Sequence, residues 1–314
     1  MSLNSPLMRR ATFYCAMGAV VSILFSIAVS QVLLALSLVL LLVSQEKLRF
    51  PPIKLPLLLF MLGTLVSLLL SGDPHAGTPQ IRKFFVFLIA LVVYSSFREL
   101  SQVRAAILLW SAVASLSAVR SFVQFVRAYQ QSADAHVGFY QFYIGSRITG
   151  FMSHWMTFGG EEMIVMLMLG AFLFFAPPAR WKTAGWAALV LLGASMALGL
   201  TRSIWLGTLA AGIYLIWFWK RWLVLAVPVL AAAMLLVAPV RERVISAFHP
   251  HGDMDSNQFR VVVWRTGLEM IEAHPWFGVG PEEVKFQFDR YVPPDIPRPL
   301  PTGWYGHLHN IYIQ

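Results

Sequence analysis

Nine apolar runs, each long enough or nearly long enough to cross a bilayer, constrain this chain more than any other feature. They lie at about 11–28, 30–44, 55–71, 83–97, 105–127, 156–176, 184–200, 203–219 and 222–239. A hydrocarbon core of about 30 Å needs about 20 apolar residues as a helix. Helix is the expected form, because backbone polar groups in lipid must be satisfied within their own segment. A barrel strand alternates apolar and polar residues, and runs such as 32–43 do not. The expected fold class is therefore all-α, a polytopic membrane helix bundle of about 9–10 spans with one large loop carrying short helices. Composition agrees: 12% of the 314 residues are charged and 58% are hydrophobic. A soluble domain carries about 25% charged residues, so too little polar surface is left here to coat a soluble globule.

The start of the chain has two explanations. Arg9 and Arg10, an apolar stretch and then Ala28-Val29-Ser30 resemble a cleavable signal peptide. A second apolar run follows at once, so an uncleaved first helix is the reading taken. The single cysteine, Cys15, allows no intramolecular disulfide.

Lysine and arginine set the expected orientation. With the N-terminus inside, the cytoplasmic segments hold Arg9, Arg10, Lys47, Arg49, Lys54, Arg98, Arg104, Arg180, Lys182, Lys220 and Arg221. Their acids are Glu46 and Glu99. The whole formal net charge of +9 then falls inside, and the outer face is neutral. This distribution points to membrane orientation rather than nucleic acid. The expected organisation is a transmembrane bundle over 1–240, an outer, periplasmic loop domain over 241–306, and the start of a truncated further membrane helix over 307–314.

Three outer features carry polar chemistry. Thr201-Arg202-Ser203 puts an arginine at a span boundary, where a snorkelling side chain is the bland explanation. An amphipathic helix is expected over about 257–273. Its Phe259, Val263 and Met270 form a stripe suited to lying on a membrane. Arg265 and Glu269 stand four apart, the spacing of a surface ion pair. Arg260 and Arg265 are five apart and so point about 140° from each other. The third feature is Gly306-His307-Leu308-His309-Asn310. Two histidines spaced by one residue suit metal ligation less well than helical i, i+4 spacing. A histidine near neutral pKa is also suited to general base work. No phosphate loop, dinucleotide fingerprint or GxSxG is present.

In chain order, Arg202-Ser203-Ile204-Trp205-Leu206-Gly207, Arg260 with Trp264, His274-Pro275-Trp276-Phe277-Gly278-Val279-Gly280-Pro281 and His307-Leu308-His309-Asn310 resemble the O-antigen ligase/polymerase superfamily of bacterial inner membranes. The matched core covers about 195–314, and Arg147-Ile148-Thr149-Gly150-Phe151 resembles a further outer stretch of that family. The resemblance implies glycosyl transfer at the periplasmic face. The donor would be an undecaprenyl-pyrophosphate-linked glycan. The acceptor would be a glycan, lipid A core or protein, with membrane lipids as surroundings and no nucleic acid as partner. It implies His309 as catalytic base, with His307 and Asn310 secondary, and Arg202, Arg260, Arg265 and Arg147 on the pyrophosphate. Inversion at the anomeric carbon, without metal or cofactor, is expected. Family members continue through further membrane helices after the His-Asn motif, so the chain is expected to be C-terminally truncated. The competing class is a membrane transporter of an anionic solute or lipid. Such proteins often carry inverted repeats, and none is visible here.

Overall fold

The computed structural model describes residues 6–44, 47–177, 179–248, 256–300, 303 and 305–309. They form an all-helical membrane protein, with no strand among the described residues. Helices α1 (Pro6–Ser22), α2 (Ile27–Val43), α3 (Lys54–Leu69), α4 (Pro74–Arg82) and α5 (Leu88–Ser96) come first. The long α6 (Leu100–Asp134), short α7 (Phe139–Gly145), and α8 (Trp155–Phe175), α9 (Trp181–Leu198) and α10 (Arg202–Lys220) follow. Then come α11 (Ala226–Met234), α12 (Ala238–Ile245), α13 (Ser256–Ala273) and α14 (Val284–Tyr291). Five helical stretches are long and apolar enough to cross a membrane: Pro74–Ser96, Leu100–Asp134, Trp155–Phe175, Trp181–Leu198 and Arg202–Met234. Two shorter apolar helices are Ile27–Val43 and Lys54–Leu69.

The stretch Arg202–Met234 is not straight. Lys220 is extended, with φ −150° and ψ 87°, and residues 221–225 form a 3₁₀ turn packed back on α10. The expected separation of runs 203–219 and 222–239 survives as that break. The second run, however, yields only the nine-residue α11.

The chain divides into two compact units: 1–46 with 96–245, and 47–95 with 246–314. In the first, α1 and α2 pair closely. Ala16 and Ala19 face Ser30, Leu34, Ser37 and Leu41, all buried. Small residues let helix backbones approach in lipid, where packing and hydrogen bonds drive association. Ser30 Oγ donates to the Ala19 carbonyl at 2.7 Å, and Ser37 Oγ to that of Thr12 at 3.2 Å. Helices α6, α8 and α9 enclose Ala114, Ala118, Val165, Leu169 and Leu192. Ser121 and Ser195 share a hydrogen bond of 2.7 Å between α6 and α9.

In the second unit, Val262, Val263 and Met270 of α13 pack on Val279, Val284, Phe288, Ile296 and Leu308. This corrects the stripe expected to lie on a membrane. Val263 and Met270 are 0% and 3% exposed inside a protein core, and Phe259 packs against that core. Beyond α13 the chain is pinned to α3, because Ser67 Oγ donates to the Phe277 carbonyl at 2.6 Å. Gly280 stands at φ 109°, and a Cβ there would overlap Ser71. Gly280→Ala is therefore expected to destabilise this unit by on the order of 1–3 kcal/mol, read as a lower thermal midpoint.

Candidate functional site

The residues singled out in the sequence fall in both units, and each group has its own geometry. In the first unit the site is built around the turn from α9 to α10. Helix α9 ends at Leu198, Leu200 takes φ 47°, and the extended Thr201 stands just before α10. Thr201 gives no side-chain cap to α10. Its hydroxyl donates instead to the Gly199 carbonyl at 3.1 Å. The first N–H groups of α10 are thus left without a side-chain cap at the end of a helix that favours anions.

Arginines gather on this turn. Arg243 Nε donates to the Leu200 carbonyl at 2.9 Å, and Arg147 Nη1 donates to the same oxygen at 3.3 Å. Arg147 also reaches Thr201 Oγ1 at 3.4 Å and lies over the Trp155 ring at 4.6 Å from its centroid. Arg202 is the first residue of α10 and is half-buried. It is close enough, with Arg243, to repel the Arg147 guanidinium. Burial first, and Arg243 next, pull the Arg147 pKa down to about 10, which leaves it charged at neutral pH. Among the described residues no carboxylate pairs with Arg147, and its Nε is buried without a hydrogen-bond partner.

Tyr143 fixes the cage from below. Its hydroxyl donates to the Leu198 carbonyl at 2.8 Å and accepts from the Ile148 N–H at 3.5 Å. Burial pushes that hydroxyl's pKa up, so it remains a donor. A cation at a helix N-terminus opposes the macrodipole by about 0.3–1 kcal/mol. Three arginines at one N-terminus therefore store repulsion that an anion would relieve. The sequence reading missed Arg243, which belongs to no recognised motif and meets Leu200 only through the fold.

In the second unit, helix α13 runs Ser256–Ala273 against the expected 257–273. Arg265 forks onto Asp295 with contacts of 2.8 and 2.9 Å. Its close partner is therefore Asp295 rather than the expected Glu269, because the Pro-rich segment folds back on α13. The hydrogen bond from Arg265 holds the Asp295 carboxyl below its ordinary pKa. A lowered acid pKa stabilises the fold above about pH 3.9 and loses that effect as pH falls through the folded value. Asp295→Asn is expected to lower the thermal midpoint slightly at pH 7 and to have no effect well below pH 3.9. The effect is small because the pair is exposed.

Arg260 is exposed on α13, directly after Phe259. The Phe259 ring meets the His309 ring edge-on at 5.5 Å. Leu308, 2% exposed, anchors the His307-Leu308-His309 segment in the core and leaves both histidines at the surface. The two rings stand 6.3 Å apart at 88°. His309 has φ 52°, a backbone that few residues other than glycine adopt. Among the described residues no three His, Cys, Asp or Glu side chains group as metal ligands do. Asn310 lies outside the described residues.

Residues 187–314 match the family model described as O-antigen ligase. The match includes Arg202, Arg243, Arg260, Arg265, His307 and His309, while Arg147 precedes it. It bears out the resemblance read from the sequence over the C-terminal part of the chain. No curated protein and no solved structure matches the chain.

Proposed function

We propose, starting from that family match, that this chain transfers a glycan from undecaprenyl pyrophosphate to an acceptor hydroxyl at the periplasmic face of the inner membrane. The coarse assignment, a polysaccharide ligase or polymerase type of activity, follows from the match itself. The observation that carries the finer reading is the set of guanidinium groups from Arg147, Arg202 and Arg243 at the N-terminus of α10. A pyrophosphate is the anion such a set suits. It is doubly charged or more, presents oxygens to arginine forks, and gains charge as it leaves.

In the proposed reaction His309 takes the proton of the acceptor hydroxyl as that oxygen bonds to the anomeric carbon. The bond from that carbon to the pyrophosphate oxygen breaks from the opposite side, inverting the configuration. Lipid pyrophosphate leaves with the electron pair, and Arg147, Arg202, Arg243 and Arg260 neutralise it. No metal takes part in this scheme. Arg265 has a different place in it: forked on Asp295, it holds the Pro-rich segment rather than the donor.

The test is made in cells lacking the endogenous gene. Arg260→Ala is expected to abolish surface-polysaccharide assembly while the protein stays in the membrane at its normal level. Near-normal glycan with Arg260→Ala would remove this residue from the site.

A further inference from the structure

An open cavity of the first unit runs along α6. It is an open groove of about 570 Å³, within the size range of small-molecule sites. Its walls are Leu116, Val119, Val123 and Phe151, and its two charges are Arg120 and Arg127. The two arginines are seven residues apart, so they lie on one face of the helix about 10 Å from each other. Both are exposed. Among the described residues neither makes a hydrogen bond or an ion pair, and the Arg120 guanidinium lies 5.5 Å from the Phe151 ring centroid.

Their depth is what requires explanation. Arg104 and Arg127 bracket the apolar part of α6 and stand about 35 Å apart along the axis, close to the thickness of a hydrocarbon core. Arg120 therefore lies about 10 Å inside the boundary that Arg127 marks. A lipid-facing guanidinium at that depth needs an anionic partner or a route to water. Among the described residues no carboxylate pairs with Arg120 or Arg127.

Gln124 also lines the groove but has both ends engaged. Its Oε1 accepts from the N–H groups of Thr149 and Gly150, each at 3.0 Å. Its Nε2 donates to the Gly150 carbonyl at 3.2 Å and to Thr149 Oγ1 at 3.3 Å. Ser117 Oγ accepts from the Phe151 N–H at 3.0 Å. These bonds hold Phe151 as a fixed wall and leave no amide to recognise a sugar.

We infer that this groove docks an anionic phospholipid of the surrounding bilayer, with its phosphate between Arg120 and Arg127 and one acyl chain along Leu116, Val119 and Val123. The occupant is a bilayer lipid rather than a glycan donor because the lining pairs apolar walls with charge and offers nothing polar to a sugar. Guanidinium and phosphate are complementary in charge and shape. Basic pockets at the ends of membrane helices bind anionic headgroups by this chemistry. Nothing in the inference depends on the transfer reaction proposed above.

The test uses the full chain in mild detergent, with lipid retention read by native mass spectrometry. Phosphatidylglycerol and phosphatidylcholine of the same acyl chains are the probes. Phosphatidylglycerol is expected to stay bound at roughly tenfold lower added lipid than phosphatidylcholine. The double variant Arg120→Ala with Arg127→Ala is expected to erase that preference. Val123→Trp, which keeps both charges and fills the groove, is expected to weaken retention of phosphatidylglycerol. Equal retention of the two lipids, or a preference that survives in the double variant, overturns the inference. So does displacement of phosphatidylglycerol by a polyprenyl pyrophosphate, which would make the groove a donor track.

Discussion

Replacing His309 by alanine is expected to lower glycan transfer by about 10²–10⁴-fold, the range contributed by a positioned general base. The protein should remain in the membrane in normal amount. Two features make the effect separable from misfolding. Leu308 carries the packing of this segment and is untouched by the change. The His309 ring stands at the surface, edge-on to the Phe259 ring. The backbone needs a control of its own, because His309 stands at φ 52° and alanine disfavours that region. Asparagine tolerates positive φ better than most residues and cannot act as a base at neutral pH. His309→Asn is therefore expected to lose transfer as fully as His309→Ala while keeping the wild-type melting profile. Substantial transfer by His309→Asn would take the proton-accepting role away from this residue.

Arg202→Ala is the second large effect, an expected fall of about 10²–10³-fold in turnover, the usual cost of removing one preorganised group that stabilises developing charge. Its position explains the size. Arg202 is the first residue of α10, where a cation opposes the helix dipole and repels Arg147. A thermal midpoint measured beside turnover separates this loss from any change in folding. Arg202→Lys keeps the charge and loses the fork, and is expected to recover activity only in part. Arg147→Ala should behave differently. It removes a donor to the Leu200 carbonyl and the cation over Trp155, so stability should fall together with turnover.

The helical membrane fold was legible because apolar runs of bilayer length have few other uses. The boundaries were less so. Residues 105–127 read as one span, yet α6 extends to Leu100–Asp134, because polar residues such as Gln130 and Gln131 continue a helix once it leaves the bilayer. The amphipathic helix α13 was legible to within a residue at its start, since Pro275 and Gly278 end it. What its apolar stripe packs on was not legible. A stripe of Val263 and Met270 reads the same whether it meets lipid or Phe288 and Ile296. Contacts far apart in sequence were also hidden. Arg265 and Asp295 are thirty residues apart, and Arg243 meets the Leu200 carbonyl across forty-three. No local pattern announces either. Arg120 and Arg127, seven residues apart, belong to no motif read in the sequence, and only the groove beside them gives that spacing a use.

The central claim assigns two separable jobs to two places in the chain: arginines on the turn into α10 hold the donor's pyrophosphate, and His309 moves the proton. The measurement that bears on it most directly is donor binding and single-turnover transfer, made side by side with a polyprenyl-pyrophosphate-linked glycan. His309→Asn is predicted to bind the donor as the wild-type chain does and to transfer nothing. Arg202→Ala is predicted to bind it at least tenfold more weakly. Normal transfer by His309→Asn together with normal donor binding by Arg202→Ala would contradict the account.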